Sequence, residues 1–310
     1  MEIDIEALLS QMTVEEKASM LAGSDSWHST GVPRLGIPAF RMTDGPNGAR
    51  GTSGNYGPNS ACFPNGSALA ATWNTSLVER VGAALADEVK DKQAHMLLAP
   101  TVNTHRSPIA GRNFECYSED PFLAGEMACA YIGGLQKNGV SACIKHFVCN
   151  DQEFERHSIS ATVAERPLRE IYLQPFRAAM KKVHPWAVMS AYNRINGVTA
   201  NANDHTLREI LKEEWGFDGA VISDWFGTYG PESVPGGLDL EMPGPGRWAA
   251  AENVKAALED GLLSIDVLDD KVRRLLRLLA RVGAFEYRVF NPELGVDLPA
   301  TRALIREAAE

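Results

Sequence analysis

One unit recurs along this chain and limits what it can fold into: a short apolar run, a polar tip, a loop, then a helix. Its clearest instance is Gly219-Ala-Val-Ile-Ser-Asp-Trp225, where three apolar residues give way abruptly to Ser223, Asp224 and Trp225. A continuous apolar run of this length reads as a strand buried on both faces, as in a parallel sheet with helices outside it. The unit returns at residues 39–43 before Asp44, and at 96–99 before Pro100 and the loop carrying Asn103, Arg106 and Arg112. Further instances are 142–144 before Lys145-His146, 187–190 before Tyr192-Asn193, and 238–240 before Glu241-Met-Pro243. Helical periodicity fills the intervals, at residues 76–93, 121–137, 165–183, 204–215, 248–260 and 266–282. Leu77, Val81, Ala84, Leu85 and Val89 supply the buried stripe of the first.

Alternation of this kind predicts an α/β fold with a parallel sheet. A period of about 30–50 residues, with polar residues at the strand ends, favours a (β/α)8-type TIM barrel. Six strands are visible rather than eight, so the barrel is incomplete, distorted, or holds strands that the pattern does not reveal. An open doubly wound sheet is the weaker rival, because no Gly-rich phosphate turn follows the first strand. Before the first unit, Ile5, Leu8, Leu9 and Met12 mark an amphipathic helix that a capping box, Thr13-Val-Glu-Glu16, restarts. The barrel is expected over residues 1–283. Residues 284–298 lose periodicity around Pro292 and Gly295, and after Pro299 a helix begins at Thr301; residues 284–310 read as a linker and the start of a helix leading toward a second domain outside this chain.

Composition narrows the function. At 310 residues with 45% hydrophobic and 23% charged side chains, the chain can bury a large core. Its net charge of −10 and lack of a basic run argue against a nucleic acid partner. No apolar stretch reaches membrane-spanning length, and Met1-Glu-Ile-Asp-Ile-Glu6 has no secretory pattern, so a cytoplasmic location is expected. Cys62, Cys116, Cys129, Cys143 and Cys149 are odd in number and lack metal-type spacing, which reads as buried free thiols.

The strand ends gather Asp44, Arg112, Lys145, His146, Tyr192 and Asp224. Such a ring suits a ligand rich in hydroxyls: carboxylates accept paired hydroxyls, and cations donate to them while holding the carboxylates ionised. Each residue alone has a plainer reading. Asp224 could cap the next helix, Asp44 could form a turn, and Arg112 could pair with Glu115, Glu119 or Asp120 on the surface. Lys145-His146 could be buried and structural. Their shared placement at the ends of apolar runs favours a site.

Longer motifs then resemble one family. Thr43-Asp-Gly-Pro46, Gly111-Arg-Asn-Phe-Glu-Cys-Tyr-Ser-Glu-Asp-Pro121, Lys145-His-Phe147, Met189-Ser-Ala-Tyr-Asn193 and Val221-Ile-Ser-Asp-Trp225 look like the β-glucosidases of glycoside hydrolase family 3, in order and spacing, over nearly the whole chain. The resemblance implies a retaining β-glucosidase acting on terminal non-reducing β-D-glucosyl residues through a glycosyl-aspartate, with no metal or organic cofactor. Asp224 would be the nucleophile and Asp44 would bind hydroxyls on the far side of the ring. Arg112, Lys145 and His146 would line the same subsite with Arg50 and Arg156 close by. Tyr192 would sit beside the nucleophile, with Met189 and Trp225 as walls. It also implies cis peptides in Lys145-His-Phe147.

A retaining mechanism needs a second carboxyl group roughly 5 Å from the nucleophile to protonate the leaving oxygen. In two-domain members of that family it is a glutamate on the second domain, so a missing second domain is the expected partner here. One-domain members, mostly N-acetylhexosaminidases, use an Asp-x-His pair after Lys-His-Phe. Glu155-Arg-His157 resembles that pair, but has Glu for Asp and its His one residue early. Their Pro-Gly-His-Gly stretch is absent. Two alternatives thus stand beside the barrel half of a β-glucosidase: a one-domain β-N-acetylhexosaminidase, and a sugar-binding barrel or subunit without turnover.

Overall fold

The chain runs through strands β1 (Met42–Thr43), β2 (Met96–Leu97), β3 (Ser141–Phe147), β4 (Ser160–Ala161), β5 (Ala187–Ser190), β6 (Arg194–Ile195), β7 (Val198–Thr199) and β8 (Ala220–Ile222). This computed structural model describes residues 3–53, 56–286 and 290–310. Residues 1–2 and 287–289, on which the readings of the opening segment and of the linker partly fell, lie outside the described residues. Five strands form one parallel sheet in the order β1-β2-β3-β5-β8. Register pairs Met42 with Met96, Leu97 with Ala142, Cys143 with Ala187, and Met189 with Ile222. The five fall on five of the six apolar runs; the sixth contributes a single parallel bridge, Leu240 to Ile222.

The sheet then closes through segments that carry no strand-like pattern. Ala22 bridges Glu241 in parallel, Gly23 bridges Ser29 antiparallel, and His28 bridges Arg41 antiparallel beside β1. The Met42 N–H donates to the Trp27 carbonyl at 2.8 Å, and the Glu241 N–H to the Leu21 carbonyl at 2.8 Å. Hydrogen-bonded neighbours therefore run all the way round. An N-terminal hairpin replaces the two strands missing from the alternation, and one of its arms runs antiparallel. Gly23 thus belongs to the barrel wall; the opening helices, α1 (Ile5–Gln11) and α2 (Val14–Ser19), end before it, and α2 starts on the expected capping box. A small sheet of β4, β6 and β7 lies apart and was not expected.

Two further helices precede β2: α3 (Gly66–Ala71), which was missed, and α4 (Thr75–Asp91), which was expected. α5 (Pro121–Lys137) follows β2 as predicted. The helix expected over 165–183 is broken into α6 (Glu165–Pro167), a π-wound turn at Leu168–Tyr172, and α7 (Gln174–Lys182). Pro175 lacks the N–H that a regular ladder needs there, and the wider turn accommodates it. The 204–215 helix is π-wound over His205–Glu214. α8 (Ala251–Glu259) and α9 (Ile265–Arg281) match expectation, and α10 (Pro299–Ala309) starts two residues early because Pro299 is suited to a first turn. Cys62 is exposed rather than buried; the other four thiols are buried and free.

Alternation along the strands sorts the core into two layers. Leu97, Ala142, Ile144, Val188 and Val221 belong to an outer cluster that also holds the buried faces of α4, α5 and α7, while Met42, Met96, Leu98, Cys143, Met189 and Ile222 belong to a second cluster that takes in α9. Two residues beyond an inward position, the next inward position falls at the barrel mouth. Met42 thus leads to Asp44, Cys143 to Lys145, and Ile222 to Asp224.

Helices α4 and α5 touch backbone to backbone. A Cβ on Gly134 would lie 2.2 Å from the Glu79 carbonyl oxygen, and one on Gly82 would lie 2.4 Å from that of Tyr131. Gly133, one residue earlier, has its nearest neighbour 4.0 Å away. Gly134→Ala is expected to cost about 1–3 kcal/mol by forcing the helices apart. Gly133→Ala is expected to be neutral or stabilising by a few tenths through helix propensity. Thermal or urea unfolding of the two variants checks the contrast.

Candidate active site

Ten side chains read from the sequence line one cavity of about 260 Å³ at the strand ends: Asp44, Arg50, Arg112, Lys145, His146, Arg156, Met189, Tyr192, Asp224 and Trp225. Trp27 and Leu98 complete the lining. Leu98 had a signal, since it continues the inward column of β2. Trp27 had none, because it arrives on the hairpin that closes the barrel.

Asp44 leaves β1 in a turn that only glycine permits at position 45, where φ is +121° and a Cβ would strike the Gly48 carbonyl. One of its oxygens accepts from Lys145 Nζ at 2.9 Å and the other from Arg50. Burial alone would raise the Asp44 carboxyl; Lys145 and Arg50 outweigh it and bring its pKa down to about 2. Lys145 and His146 end β3, and the Lys145–His146 and Phe147–Val148 peptides are both cis. Asn103 grips His146 from the β2 loop. Its Nδ2 donates to the His146 carbonyl at 2.9 Å, and its Oδ1 accepts the His146 N–H at 2.9 Å and faces Nδ1 at 3.1 Å. Burial, then the nearby Arg112, Lys145 and Arg156, push the His146 pKa far down, so the ring is neutral. With Asn103 oriented by the backbone, the proton is assigned to Nδ1, which leaves Nε2 as an acceptor facing the pocket.

Asp224 closes the ring, with one oxygen 3.3 Å from His146 Nε2. Burial raises its pKa to about 6, against the pull of Lys145 and Arg112. Tyr192 donates its hydroxyl to the Trp225 carbonyl at 2.8 Å, and the Trp225 ring packs 5.5 Å from Trp27. Arg156 lies 4.5 Å over the Tyr192 ring. Arg112 is not a surface residue: its Nε donates to buried Glu115, which also accepts from Thr101 Oγ1 at 2.7 Å.

His157 stands outside this lining. Its ring packs 4.4 Å from Tyr192, and its Nδ1 lies 3.0 Å from the Tyr229 hydroxyl. Glu241 is buried and accepts from Thr228 and from the Trp248 and Ala249 N–H groups, a structural role. Among the described residues no three His, Cys, Asp or Glu side chains cluster as a metal ion would require, and no helix is long and apolar enough to cross a membrane.

Fold and cavity together define a class: a (β/α) barrel domain with a polar, aromatic-walled ligand cleft at the C-terminal ends of its strands. The chain belongs to glycosyl hydrolase family 3, whose N-terminal domain profile matches residues 11–278. It is 52% identical over 305 residues to a β-glucosidase of Rhizobium radiobacter, covering 98% of this chain and 37% of that protein. It is 48% identical over 303 residues to β-glucosidase B of Emericella nidulans, covering 97% of this chain and 36% of that protein. Among solved structures, the β-glucosidase of Kluyveromyces marxianus in complex with glucose superposes with a TM-score of 0.96 at 43% identity, over 99% of this chain and 38% of that one. β-Glucosidase 3B of Thermotoga neapolitana in complex with glucose superposes with a TM-score of 0.90 at 41% identity, over 98% and 46%. The chain thus spans little more than a third of the length of the curated relatives it matches.

Lys145 lowers the pKa of both pocket carboxylates. Replacing it with Met is therefore expected to move the Asp44 and Asp224 titrations upward together. Carboxyl-carbon NMR titration of the wild type and Lys145→Met measures this; a shift of one carboxylate alone would show that the pocket charges act separately.

Proposed function

We propose that this chain is the barrel domain of a retaining β-glucosidase that releases terminal non-reducing β-D-glucosyl residues, with Asp224 as its nucleophile. One observation carries the reading: a buried carboxylate that ionises near neutral pH, at the mouth of a barrel, ringed by cations and aromatic walls. Relatives named β-glucosidases, two of them solved with glucose, support the choice of sugar.

The Asp224 carboxylate attacks the anomeric carbon as the bond to the leaving oxygen breaks, giving a glycosyl-aspartate ester. The leaving oxygen takes a proton from an acid. Water then attacks the same carbon, passes a proton to the conjugate base, and frees Asp224. Asp44, ionised throughout the neutral range, accepts a pair of sugar hydroxyls. Lys145, Arg112, Arg50 and Arg156 donate to hydroxyls, and His146 Nε2 accepts one. Trp225, Met189 and Tyr192 wall the apolar face of the ring.

The acid is the missing part. Asp44 and Asp224 are the carboxylates among the cavity-lining residues, and Asp44, held at about pKa 2, has no proton to give. A glutamate on a second domain supplies the acid and base in this reading, which fits the length of the relatives. His157, engaged with Tyr229 and Tyr192, gives little support to a one-domain N-acetylhexosaminidase. Four buried free thiols fit a reducing compartment and thus a cytoplasmic location.

An aryl β-glucoside with a good leaving group should be cleaved by this chain, and an alkyl β-glucoside should not. Asp224→Ala should abolish the aryl activity; equal turnover of both substrates would place an acid within these 310 residues. Binding of glucose with no cleavage of either would favour an inert sugar-binding barrel. The nucleophile must be charged, so the aryl rate should rise with pH through about 6 and level off above it. A rate–pH profile between pH 4 and 8 reads that limb, and a flat profile would contradict it.

A further inference from the structure

We infer that Glu153, which does not line the cavity, is the positioning residue that aims two of its cations; this rests on the glucose-binding reading above. Glu153 Oε2 accepts from Arg156 Nη1 at 2.8 Å, while Oε1 lies 3.8 Å from Arg112 Nη1 and accepts from Asn150 Nδ2 at 3.0 Å. One carboxylate thus spans two guanidinium groups carried by different loops, Arg112 after β2 and Arg156 after β3. The backbone joins the same two loops: the Glu153 N–H donates to the Ala110 carbonyl at 2.9 Å. Gly111 lets them meet, since its φ is +98° and a Cβ there would come within 3.2 Å of the Glu153 side chain.

Charge supports the same role. Four cations, Arg50, Arg112, Lys145 and Arg156, face two carboxylates in the cavity. Glu115 and Glu153 stand behind the arginines and restore the balance without occupying the ligand space. Arg112 has both behind it and keeps Glu115 if Glu153 is lost. Among the described residues Arg156 pairs with Glu153 alone, and its side chain is 36% exposed against 22% for Arg112. A long cation at a cavity rim samples many rotamers unless a carboxylate fixes it. With Glu153 in place, Arg156 is held over Tyr192, next to the nucleophile.

The test compares wild type, Glu153→Gln, Glu153→Asp and Ser158→Ala by glucose affinity, read from the fluorescence of the cavity tryptophans, by thermal melting, and by crystal structures without sugar. Glu153→Gln should weaken glucose binding by about tenfold or more, since it removes the charge that orders two donors. Its melting temperature should stay unchanged, and Arg156 should leave the Tyr192 ring. Ser158→Ala removes the Ser158 Oγ bond to the Glu155 carbonyl at 3.2 Å, loosens the same loop without touching Glu153, and should leave the affinity alone. If it weakens binding as much as Glu153→Gln, loop integrity rather than aim is responsible and the inference fails. It also fails if Glu153→Gln binds glucose normally with both arginines in place. Should Glu153→Gln not fold, Glu153→Asp, which keeps the charge but shortens the reach, carries the same expectations. If the wild type takes no glucose, the β-glucosidase reading falls, and the arginine positions in the sugar-free crystals still decide the role of Glu153.

Discussion

The closing of the sheet by residues 21–29 is the constraint on which the rest depends. Five parallel strands alone would leave β1 and β8 with rows of unpaired N–H and C=O groups, open to aggregation and free to splay. Bonds between Leu21 and Glu241, between Gly23 and Glu241, and between Trp27 and Met42 complete the circle. Once the circle is complete, the tips of β1, β3, β5 and β8 stand at fixed distances. Residues more than a hundred positions apart, such as Asp44 and Lys145, then meet as an ion pair. The hairpin also brings Trp27 against Trp225, so the element that closes the barrel contributes a wall of its cavity.

Within that frame, burial and charge split two chemically identical groups. Asp224 is buried and Asp44 half-buried, and desolvation raises both. Asp44 has Lys145 and Arg50 bonded directly to its two oxygens, and these contacts overcome desolvation. Asp224 faces a neutral imidazole and only more distant cations, so desolvation wins. The first carboxylate is a fixed anion. The second lines the cavity and changes charge near neutral pH.

Much of this was legible in the residues. The apolar runs located all five strands of the parallel sheet, and the periodicities at 76–93, 121–137 and 266–282 located α4, α5 and α9, because buried faces impose a period that polar residues cannot satisfy. The polar tips of those runs came together in one cavity because an inward position on a strand recurs every two residues. The hairpin stayed hidden, since Ala22-Gly-Ser24 and Trp27-His-Ser29 show neither period 2 nor an apolar run. Its strands pair through one or two bridges each, too few to impose a pattern.

What the sequence determined by itself is the alternation of strand and helix, the inward columns of the strands, and the set of ionisable side chains at their ends. These follow from local periodicity and from motifs a few residues long. Tertiary structure alone decided how the barrel closes, which carboxylate stays ionised, that Arg112 is half-buried between Glu115 and Glu153, and that Trp27 belongs to the cavity. Each of those depends on distances between residues far apart in the chain. A pKa or a cation's aim is set by what surrounds the group in space, and no local pattern encodes that.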